Sequence, residues 1–245
     1  FRFVFEGVVA EELRQIDLGG VFEIGATFHY ARELYRRKGR EEIPIRRRGT
    51  IALPDKSDLG KLVDFDREAY ARKLAALPEK FHPVYVSMHW RDYERGCYQP
   101  YLEAGLSVVC AGHPHDPLFY ERIYDTFRHF SYSCSNEIST SFGLSVLSGC
   151  QFFFLDGGDV TIQWNSGEAY KGSEPKLVEP GREACVNASP YPPEEGGVKR
   201  QRELASTFSG EHFVKSPEFF RQKWEEGRDI LSSKVSVSDF QIDGP

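Results

Sequence analysis

From residue 49 onward, the hydrophobic residues form short apolar runs separated by longer segments of mixed character. The runs are GTIAL (49–53), PVYVSM (83–88), LSVVCA (106–111), FSYSC (130–134) and QFFFL (151–155). Short runs rich in β-branched and aromatic residues are typical of strands that are buried on both faces of a parallel sheet. They predict five parallel strands at about 50–53, 84–88, 107–111, 131–134 and 151–155.

The segments between these runs carry apolar residues at the spacing of a helix. Three sets each share one helical face, namely Tyr70, Leu74 and Leu77; Phe119, Ile123, Phe127 and Phe130; and Ile138, Phe142 and Val146. A further short helix through Tyr101 and Leu102 is predicted to end at Gly105. Strands that alternate with amphipathic helices predict an α/β fold, a doubly wound parallel sheet with helices on both faces.

The sequence predicts one main domain with smaller segments at either end. Residues 49–215 form a Rossmann-like domain, with a long loop near 172–198 where Gly, Pro and Glu are abundant. A hairpin is predicted around Asn165-Ser166-Gly167. Residues 1–48 are predicted to be part of an N-terminal domain and a linker, and residues 216–245 a C-terminal helix and tail.

The composition is that of an ordinary soluble protein. The chain has 245 residues, of which 40% are hydrophobic, and its net charge of −6 argues against a nucleic-acid partner. No run reaches the ~18 apolar residues of a membrane span. The five cysteines lack CxxC spacing, which predicts reduced thiols and a cytoplasmic location. The basic run 36–48 is interpreted as a solvated linker, or as a peripheral contact with anionic membrane lipids.

Polar segments follow all five predicted strands, and they should meet because the carboxyl ends of parallel strands share one edge. The segments are PDKS, MHWRD, GHPHDP, SNEIST and LDGGD. The first four supply donors or cations that suit an anion, and SNEIST opens a helix whose first N–H groups favour a phosphate. The candidate binding residues are Lys56, Ser57, His89, Arg91, His113, Pro114, Ser135, Asn136, Glu137, Ser139 and Thr140.

Several of these residues also have a structural interpretation. Asp116 and the proline after it form a good N-cap and first-turn pair for the following helix. Ser135 or Asn136 is suited to cap the next helix. Glu137 suits the positive end of that helix dipole, and equally suits the hydroxyls of a ribose.

The candidates for catalysis are Asp92, His113 and Glu137. Asp92 is a candidate for proton transfer or for contacting a sugar hydroxyl, and we expect Trp90, Arg91 and Asp92 to line one crevice with His113. The alternative for Asp92 is an ion pair with Arg91 or Arg95. The two histidines of GHPHDP have the HxH spacing of metal ligands, but no second ligand cluster accompanies them, so no metal is predicted.

Sequence motifs argue against several other nucleotide-binding and hydrolytic classes. The chain contains no GxxxxGK[ST] motif, no GxGxxG after the first predicted strand and no GxSxG nucleophile elbow. A P-loop NTPase, a dinucleotide-binding Rossmann domain and an α/β-hydrolase are therefore not expected.

Residues 49–156 resemble the nucleotide-sugar-binding half of GT-B glycosyltransferases from bacterial capsule and surface-polysaccharide synthesis. The resemblance rests on GTIALPDKS, PVYVSMHWRDY, VVCAGHPHDPLFYERIYD and YSCSNEISTSFGLSVLSGCQFFF. The pair His113-Pro114 is also similar to the HP motif of bacterial sialyltransferases and related Kdo transferases. This resemblance implies that His113 contacts the nucleotide phosphate, and that Ser135, or Ser139 to Ser141, corresponds to the serine motif of those enzymes.

The resemblance implies a glycosyltransferase without metal or cofactor, of the hexosyl or the sialyl/Kdo type. It would move a sugar from a CMP- or UDP-linked donor to a surface polysaccharide or glycolipid acceptor, and residues 1–48 would belong to the acceptor-side domain. The acidic motif that supplies the base in sialyltransferases has no clear equivalent in the first fifty residues, so the base is unassigned. The alternatives are a nucleotide-sugar epimerase of the same fold and a non-catalytic binding module of a polysaccharide assembly system.

Overall fold

The computed structural model of the chain describes residues 2–4, 20–58, 60–164, 169–171, 182–194 and 196–234. The strands are β1 (Arg2–Val4), β2 (Val21–Glu23), β3 (Thr50–Ala52), β4 (Lys61–Phe65), β5 (Val84–Ser87), β6 (Ser107–Val109), β7 (Tyr132–Ser135), β8 (Gln151–Phe154), β9 (Val160–Trp164) and β10 (Ala169–Lys171). The helices are α1 (Thr27–Arg37), α2 (Arg67–Ala75), α3 (Trp90–Glu94), α4 (Gln99–Glu103), α5 (Phe119–Phe127), α6 (Thr140–Leu147), α7 (Arg182–Asn187), α8 (Gly197–Phe208) and α9 (Pro217–Lys234).

Five strands form one sheet in the order β6-β5-β3-β7-β8. All neighbouring pairs run parallel, which confirms the predicted parallel sheet and gives an α/β, Rossmann-like fold. The chain moves outward from β3 to β5 and β6, and then returns to build β7 and β8 on the other side. The topological switch point therefore lies between β3 and β7.

Consecutive residues on the central strands point to opposite faces of this sheet, as the pleat requires. On β3, Ile51 belongs to one buried cluster and Ala52 to the other. On β8, Phe152 and Phe153 divide in the same way. Each strand thus contributes to two cores, which explains why its sequence shows an apolar run.

Helices cover both faces of the sheet. One face packs against α2 and α4, where Tyr70, Leu74 and Tyr101 are fully buried. The other face packs against α1, α5, α6 and α8, which bury side chains such as Phe28 and Phe142. Burial of one large apolar side chain contributes about 1.5–3 kcal/mol to stability. The loops at the strand ends therefore stand on a well-packed support.

A second, antiparallel sheet has the order β10-β9-β4. Its strands β9 and β10 form the predicted hairpin, although the turn residues 165–168 lie outside the described residues. The sequence analysis missed β4, which pairs with β9 far along the chain. Val63 and Ile162 of this sheet join the core on the α2 side of the parallel sheet.

Helices α7 and α8 occupy a region where the sequence analysis placed no helix. The prediction of a long loop near 172–198 is wrong for 182–187, which form α7, and residues 172–181 lie outside the described part of the chain. In α8, the side-chain amide of Gln201 pairs with the backbone of Phe152, with N···O distances of 2.9 Å and 2.7 Å. Gln201 thereby pairs with backbone groups on the outer edge of β8, where a further strand would otherwise bind.

Two predicted helix starts are wrong. Helix α5 begins at Phe119, so Asp116 is not its N-cap; instead Asp116 Oδ1 accepts a hydrogen bond from the N–H of Leu118 at 2.8 Å, in the turn before the helix. Helix α6 has Ser139 as its N-cap, so neither Ser135 nor Asn136 caps it. Ser135 instead ends β7, because the strand continues further than the apolar run indicates.

The chain divides into two units, one formed by residues 1–26 and 210–245 and the other by residues 27–209. In the smaller unit, the rings of Phe22 and Phe219 pack edge to face with their centroids 5.6 Å apart. The larger unit contains both sheets built on β3 and β4. It also contains α1, because that helix packs against α5. This division differs from the sequence-based boundaries after residues 48 and 215.

The five cysteines form no disulfide with one another, and three of them are buried, while Cys97 is half-buried and Cys110 is exposed. Within the ranges that the structure describes, none of the helices combines the length and the apolar character that a membrane crossing requires.

Candidate functional site

The loops that were predicted to meet at one edge follow the carboxyl ends of the five parallel strands. Across the sheet they lie in the order 110–118, 88–89, 53–58, 136–139 and 155–159. The switch point falls between the loops that follow β3 and β7. In open α/β sheets ligands bind in the crevice at such a point. The candidate crevice is therefore centred on these two loops.

Asn136 links the two loops at the switch point through its side-chain oxygen, and its side-chain nitrogen has no partner among the described residues. Its side chain is only 6% exposed, and its Oδ1 accepts a hydrogen bond from the backbone N–H of Asp55 at 2.7 Å. A backbone N–H can only donate, so this bond fixes the orientation of the amide. Nδ2 of Asn136 is left buried with no partner among the described residues. Such an unsatisfied group costs about 1–3 kcal/mol, which a ligand with an acceptor would recover.

Gly157, in the loop after β8, packs its backbone closely against this amide. A Cβ at residue 157 would lie 2.6 Å from Nδ2 of Asn136 and 2.8 Å from its Cβ. The loop is held in place because Lys73 Nζ donates to the carbonyl of Asp156 at 2.9 Å. Glycine therefore permits a close approach of backbone to the candidate donor.

His89 brings a second unpartnered polar atom to the same edge. It stands between β5 and α3, and its Nδ1 is buried without a partner among the described residues. Burial lowers the pKa of His89, and the positive charge of Lys56 lowers that pKa further, while Asp92 and Asp58 oppose the shift. His89 is therefore neutral near pH 7, and its tautomer decides whether Nδ1 donates or accepts.

Lys56 supplies a cation in the loop after β3. Its side chain is half-buried, and this burial lowers its pKa, an effect that the negative charges of Asp58 and Asp55 partly oppose. The loop backbone is fixed locally, since Asp55 Oδ1 accepts a hydrogen bond from the N–H of Lys56 at 2.8 Å. A partly desolvated ammonium gains more from an anionic ligand than a fully hydrated one.

His113 stands exposed on the rim, in the loop after β6. Its Nδ1 accepts a hydrogen bond from the backbone N–H of His115 at 3.1 Å, so the neutral ring carries its proton on Nε2. The ring packs against Trp90 with centroids 4.6 Å apart, which confirms the predicted proximity of these two side chains. The arrangement leaves Nε2–H as the donor that His113 can offer to a ligand.

Arg122 of α5 clamps the loop that carries this histidine. Its Nε donates to the carbonyl of Ala111 at 2.8 Å, and its guanidinium lies 3.0 Å from Asp116 Oδ2. Gly112 has a positive φ of 85°, and a Cβ there would meet the Arg122 guanidinium at 3.2 Å. The glycine and the arginine together hold the sharp turn after β6. Neither residue was among the predicted site residues.

Two of the predicted site residues, Asp92 and Ser57, turn into the protein, and a third, Arg91, is half-buried. Asp92 is buried, and its Oδ2 accepts a hydrogen bond from the backbone N–H of Ser57 at 2.9 Å, while its Oδ1 lies 3.3 Å from Arg95. Ser57 is itself fully buried, and its Oγ accepts a hydrogen bond from a backbone N–H of β4. Arg91 donates to a backbone carbonyl of the loop after β3. The prediction that Asp92 lines the crevice beside His113 is therefore wrong, because the first turn of α3 directs its carboxylate to the interior. Arg91 stays half-buried against the loop after β3.

The remaining predicted residues differ in exposure. Ser135 is buried, and its hydroxyl donates to a carbonyl just after β3 and accepts a hydrogen bond from the N–H of Glu137. Glu137 is half-buried, and its carboxylate accepts a hydrogen bond from the next backbone N–H at 2.9 Å. Ser139 and Thr140 are exposed at the start of α6, and Pro114 is exposed in the histidine loop. Ser139 and Thr140 thus follow Asn136 in the same loop with their side chains open to solvent.

The basic run 36–48 is largely engaged in contacts within the protein. Arg36 and Arg37 both pair with Glu33 at 2.8 Å, and Lys38 pairs with Glu121 at 2.7 Å. Further along the run, arginines line two depressions at the amino ends of the parallel strands, opposite the candidate crevice.

Within the ranges described, no group of three or more His, Cys, Asp or Glu side chains is placed to hold a metal ion. Comparison of the chain with protein-family models, with curated proteins and with solved structures found no match. The chemistry of the site is therefore inferred from its own geometry.

Proposed function

We propose that this chain is the donor-nucleotide domain of a metal-independent, GT-B-like glycosyltransferase. The enzyme would transfer a sugar from a CMP- or UDP-linked donor to a surface polysaccharide or glycolipid acceptor. One observation carries the proposal. Two buried polar atoms that have no partner in the described part of the chain, Asn136 Nδ2 and His89 Nδ1, stand with the partly desolvated Lys56 at the carboxyl edge of a parallel sheet.

These three groups suit the phosphate of a nucleotide. An amide N–H, an imidazole and an ammonium can all donate to oxygen, and a phosphate presents several acceptor oxygens around one centre. The groups follow three adjacent strands, β5, β3 and β7, and we infer that they converge on a compact anion at the switch point. Dinucleotides and mononucleotides bind at this place in other open α/β sheets.

The same donors would assist the chemical step. In glycosyl transfer the bond from sugar to phosphate breaks, and negative charge develops on the departing nucleotide. Donors that the fold already holds in place stabilise this charge without reorganising. Asn136 is held by Asp55, and the rim donor Nε2–H of His113 is held by the N–H of His115. With about 1.5–3 kcal/mol for each charge-assisted bond, two donors correspond to roughly 10²- to 10⁴-fold in rate.

The test replaces the free donor and keeps the structural bond. Asn136→Asp retains an oxygen to accept from the N–H of Asp55, but it places an oxygen where Nδ2 stands. CMP, UDP and GDP are titrated by calorimetry into the parent and the variant. We expect the variant to bind the preferred nucleotide about ten- to a hundredfold more weakly, because one donor is lost and a like charge is added. The control is Asn187→Asp, the same charge change at an exposed residue of α7.

Turnover distinguishes the proposed enzyme from its alternatives. A transferase releases free nucleotide from a nucleotide sugar when glycan acceptor is supplied, an epimerase isomerises the donor without acceptor, and a binding module does neither. Failure of the parent to bind any of the nucleotides would refute the proposal. If Asn136→Asp binds nucleotide as tightly as the parent does, the nucleotide binds somewhere other than the switch point.

A further inference from the structure

The amino ends of the parallel strands form a second surface of distinct chemistry. Two adjoining depressions lie there and share Arg48. One is also lined by Lys80 and Tyr132, and the other by Arg46 and Tyr85. We call the two together the amino-edge groove. Residues of the proposed donor site do not line it, so it requires a separate explanation.

The amino-edge groove has a local excess of positive charge. Arg46, Arg48 and Lys80 are exposed along it, and Glu79 is the acidic residue among its lining. Among the described residues, Arg46 and Arg48 have no hydrogen-bond or ion-pair partner for their side chains. The chain as a whole carries a net charge of −6. A cationic strip on an acidic protein points to an anionic ligand.

The segment that carries these arginines is fixed at its centre. Arg47 donates to the carbonyl of Ser148 at 2.8 Å and to the carbonyl of Phe130 at 3.4 Å. The N–H of Arg48 donates to the carbonyl of His129 at 3.1 Å. The backbone under Arg46 and Arg48 is thereby held in place, so a ligand need order only their side chains.

Aromatic rings form part of the groove beside the arginines. Tyr85 packs against Phe130 with centroids 5.4 Å apart, and Tyr132 packs against Phe81 at 4.8 Å. Both tyrosines are half-buried, so part of each ring faces the groove. Flat apolar faces next to guanidinium groups match a chain of sugar rings that carries carboxylates, because guanidinium pairs with carboxylate in a planar fork. We propose that the amino-edge groove binds an acidic polysaccharide.

The backbone around the groove does not favour an acidic peptide. Extended peptides bind through main-chain hydrogen bonds. Here the carbonyls of Gly49, Pro83 and Ser131 already accept hydrogen bonds within the protein, at 2.9–3.0 Å. The net charge of the chain also opposes a nucleic-acid backbone. A polysaccharide needs no free backbone groups, and with one carboxylate per sugar ring it has a lower charge density than a nucleic acid, so the net charge of the chain opposes it less.

The test measures binding of a labelled polygalacturonate oligomer by fluorescence anisotropy, with no nucleotide present. The double variant Arg46→Ala/Arg48→Ala should bind it about tenfold more weakly than the parent, because two guanidinium–carboxylate contacts are lost. The control Arg36→Ala/Arg37→Ala removes the same charge from α1, where both residues pair with Glu33, and should bind as the parent does. Neutral dextran of equal length should not compete.

Other occupants are tested as competitors of the labelled oligomer. Poly-glutamate, single-stranded DNA and vesicles with anionic lipid should each bind more weakly than polygalacturonate at equal charge. The proposal is overturned if the parent does not bind polygalacturonate at low salt, or if both double variants lose affinity equally. It is also overturned if DNA, poly-glutamate or vesicles bind more tightly and depend on Arg46 and Arg48. None of these results bears on nucleotide binding at the opposite edge.

Discussion

The two edges of the parallel sheet keep their unpaired polar groups in opposite environments. At the carboxyl edge, Asn136 Nδ2 and His89 Nδ1 are buried without a partner among the described residues. At the amino edge, the unpaired groups are the exposed side chains of Arg46 and Arg48. Thr50, which is buried at the same edge, is paired, because its Oγ1 donates to the carbonyl of Phe81 at 2.8 Å.

The unpaired groups at the two edges differ in what they cost in stability. An unpaired donor in the interior costs about 1–3 kcal/mol, whereas an exposed cation is solvated and costs little. The crevice therefore contains a destabilising feature that a bound ligand removes, and the groove does not. Added salt should weaken ligand binding at the amino-edge groove more than at the crevice. Exposed charges are screened over about 8 Å at physiological ionic strength, whereas buried donors are screened much less.

The largest effect is expected at the amino edge, from a change that alters no charge. A Cβ at Gly49 would lie 2.2 Å from the carbonyl oxygen of Pro83, and φ at Gly49 is 68°. Gly49→Ala should lower the free energy of unfolding by about 4 kcal/mol, because β3 and β5 must separate to admit the methyl group.

The matched control is Gly105→Ala. Gly105 has a similar φ of 77°, but a Cβ there would meet nothing within 4 Å. Backbone strain alone should cost about 1–2 kcal/mol. Urea unfolding of both variants measures the difference, and equal losses would mean that the contact between Gly49 and Pro83 relaxes freely.

The next effect is expected at the carboxyl edge, where Gly157→Ala would crowd the amide of Asn136. We expect about a tenfold loss of nucleotide affinity and about 1–3 kcal/mol of stability, since the amide must shift from its bond to Asp55. Gly158→Ala is the control, because a Cβ at that residue meets nothing within 4 Å. It should lose some stability through its positive φ and keep its affinity, as measured by calorimetry. Equal losses of nucleotide affinity in both variants would mean that Asn136 takes no part in nucleotide binding.

The sequence was sufficient to predict the parallel sheet, because each of its strands is a short apolar run that owes its character to burial on both faces. It was not sufficient for β4. Lys61–Phe65 becomes a strand by pairing with β9, and such a distant pairing leaves no local signal. Helix α7 was likewise not predictable from the sequence. It is short, Arg182–Asn187, and the Gly, Pro and Glu residues that are abundant around it indicate a loop.

The convergence of loops at one edge also follows from the sequence, because it needs only parallel strands. The direction of each side chain does not. Asp92 looked like an acid for catalysis, yet the first turn of α3 directs it to the N–H of Ser57. Asn136 looked like a helix cap, yet the extra length of β7 places it across from Asp55. These outcomes depend on where an element ends, and a shift of one or two residues reverses them.

A smaller effect is expected from pH. Burial and the charge of Lys56 lower the pKa of His89 in the folded protein below its ordinary value of 6.5, so the unfolded chain takes up this proton first as the pH falls. This contribution to stability is present above the unfolded pKa and is lost as the pH falls through the folded one. The unfolding free energy of the parent should therefore decrease more steeply below about pH 7 than that of His89→Gln.

Nucleotide provides the control for this experiment. A bound phosphate would favour the charged form of His89 and raise its pKa, so saturating nucleotide should reduce the difference between parent and variant. Chemical denaturation across the pH range measures both slopes. Parallel curves for the parent and His89→Gln without nucleotide would contradict the unpaired, neutral state of this side chain.

The smallest effects are expected within the histidine loop, where binding and folding should separate between two neighbouring residues. His113→Ala removes the Nε2–H donor from the rim and should weaken nucleotide binding about two- to tenfold, the worth of one hydrogen bond, with little change in melting temperature because the ring is exposed. Asp116→Ala removes the contacts with the N–H of Leu118 and with Arg122, which lower the pKa of Asp116 in the folded state. Its contribution to stability is present at neutral pH and is lost as the pH falls below the ordinary pKa of 3.8. Asp116→Ala should therefore melt at a lower temperature than the parent at pH 7 and bind nucleotide nearly as well. If calorimetry and melting show the same profile for both variants, residues 110–118 are a turn that serves the fold alone, and the donor's phosphate is held without His113.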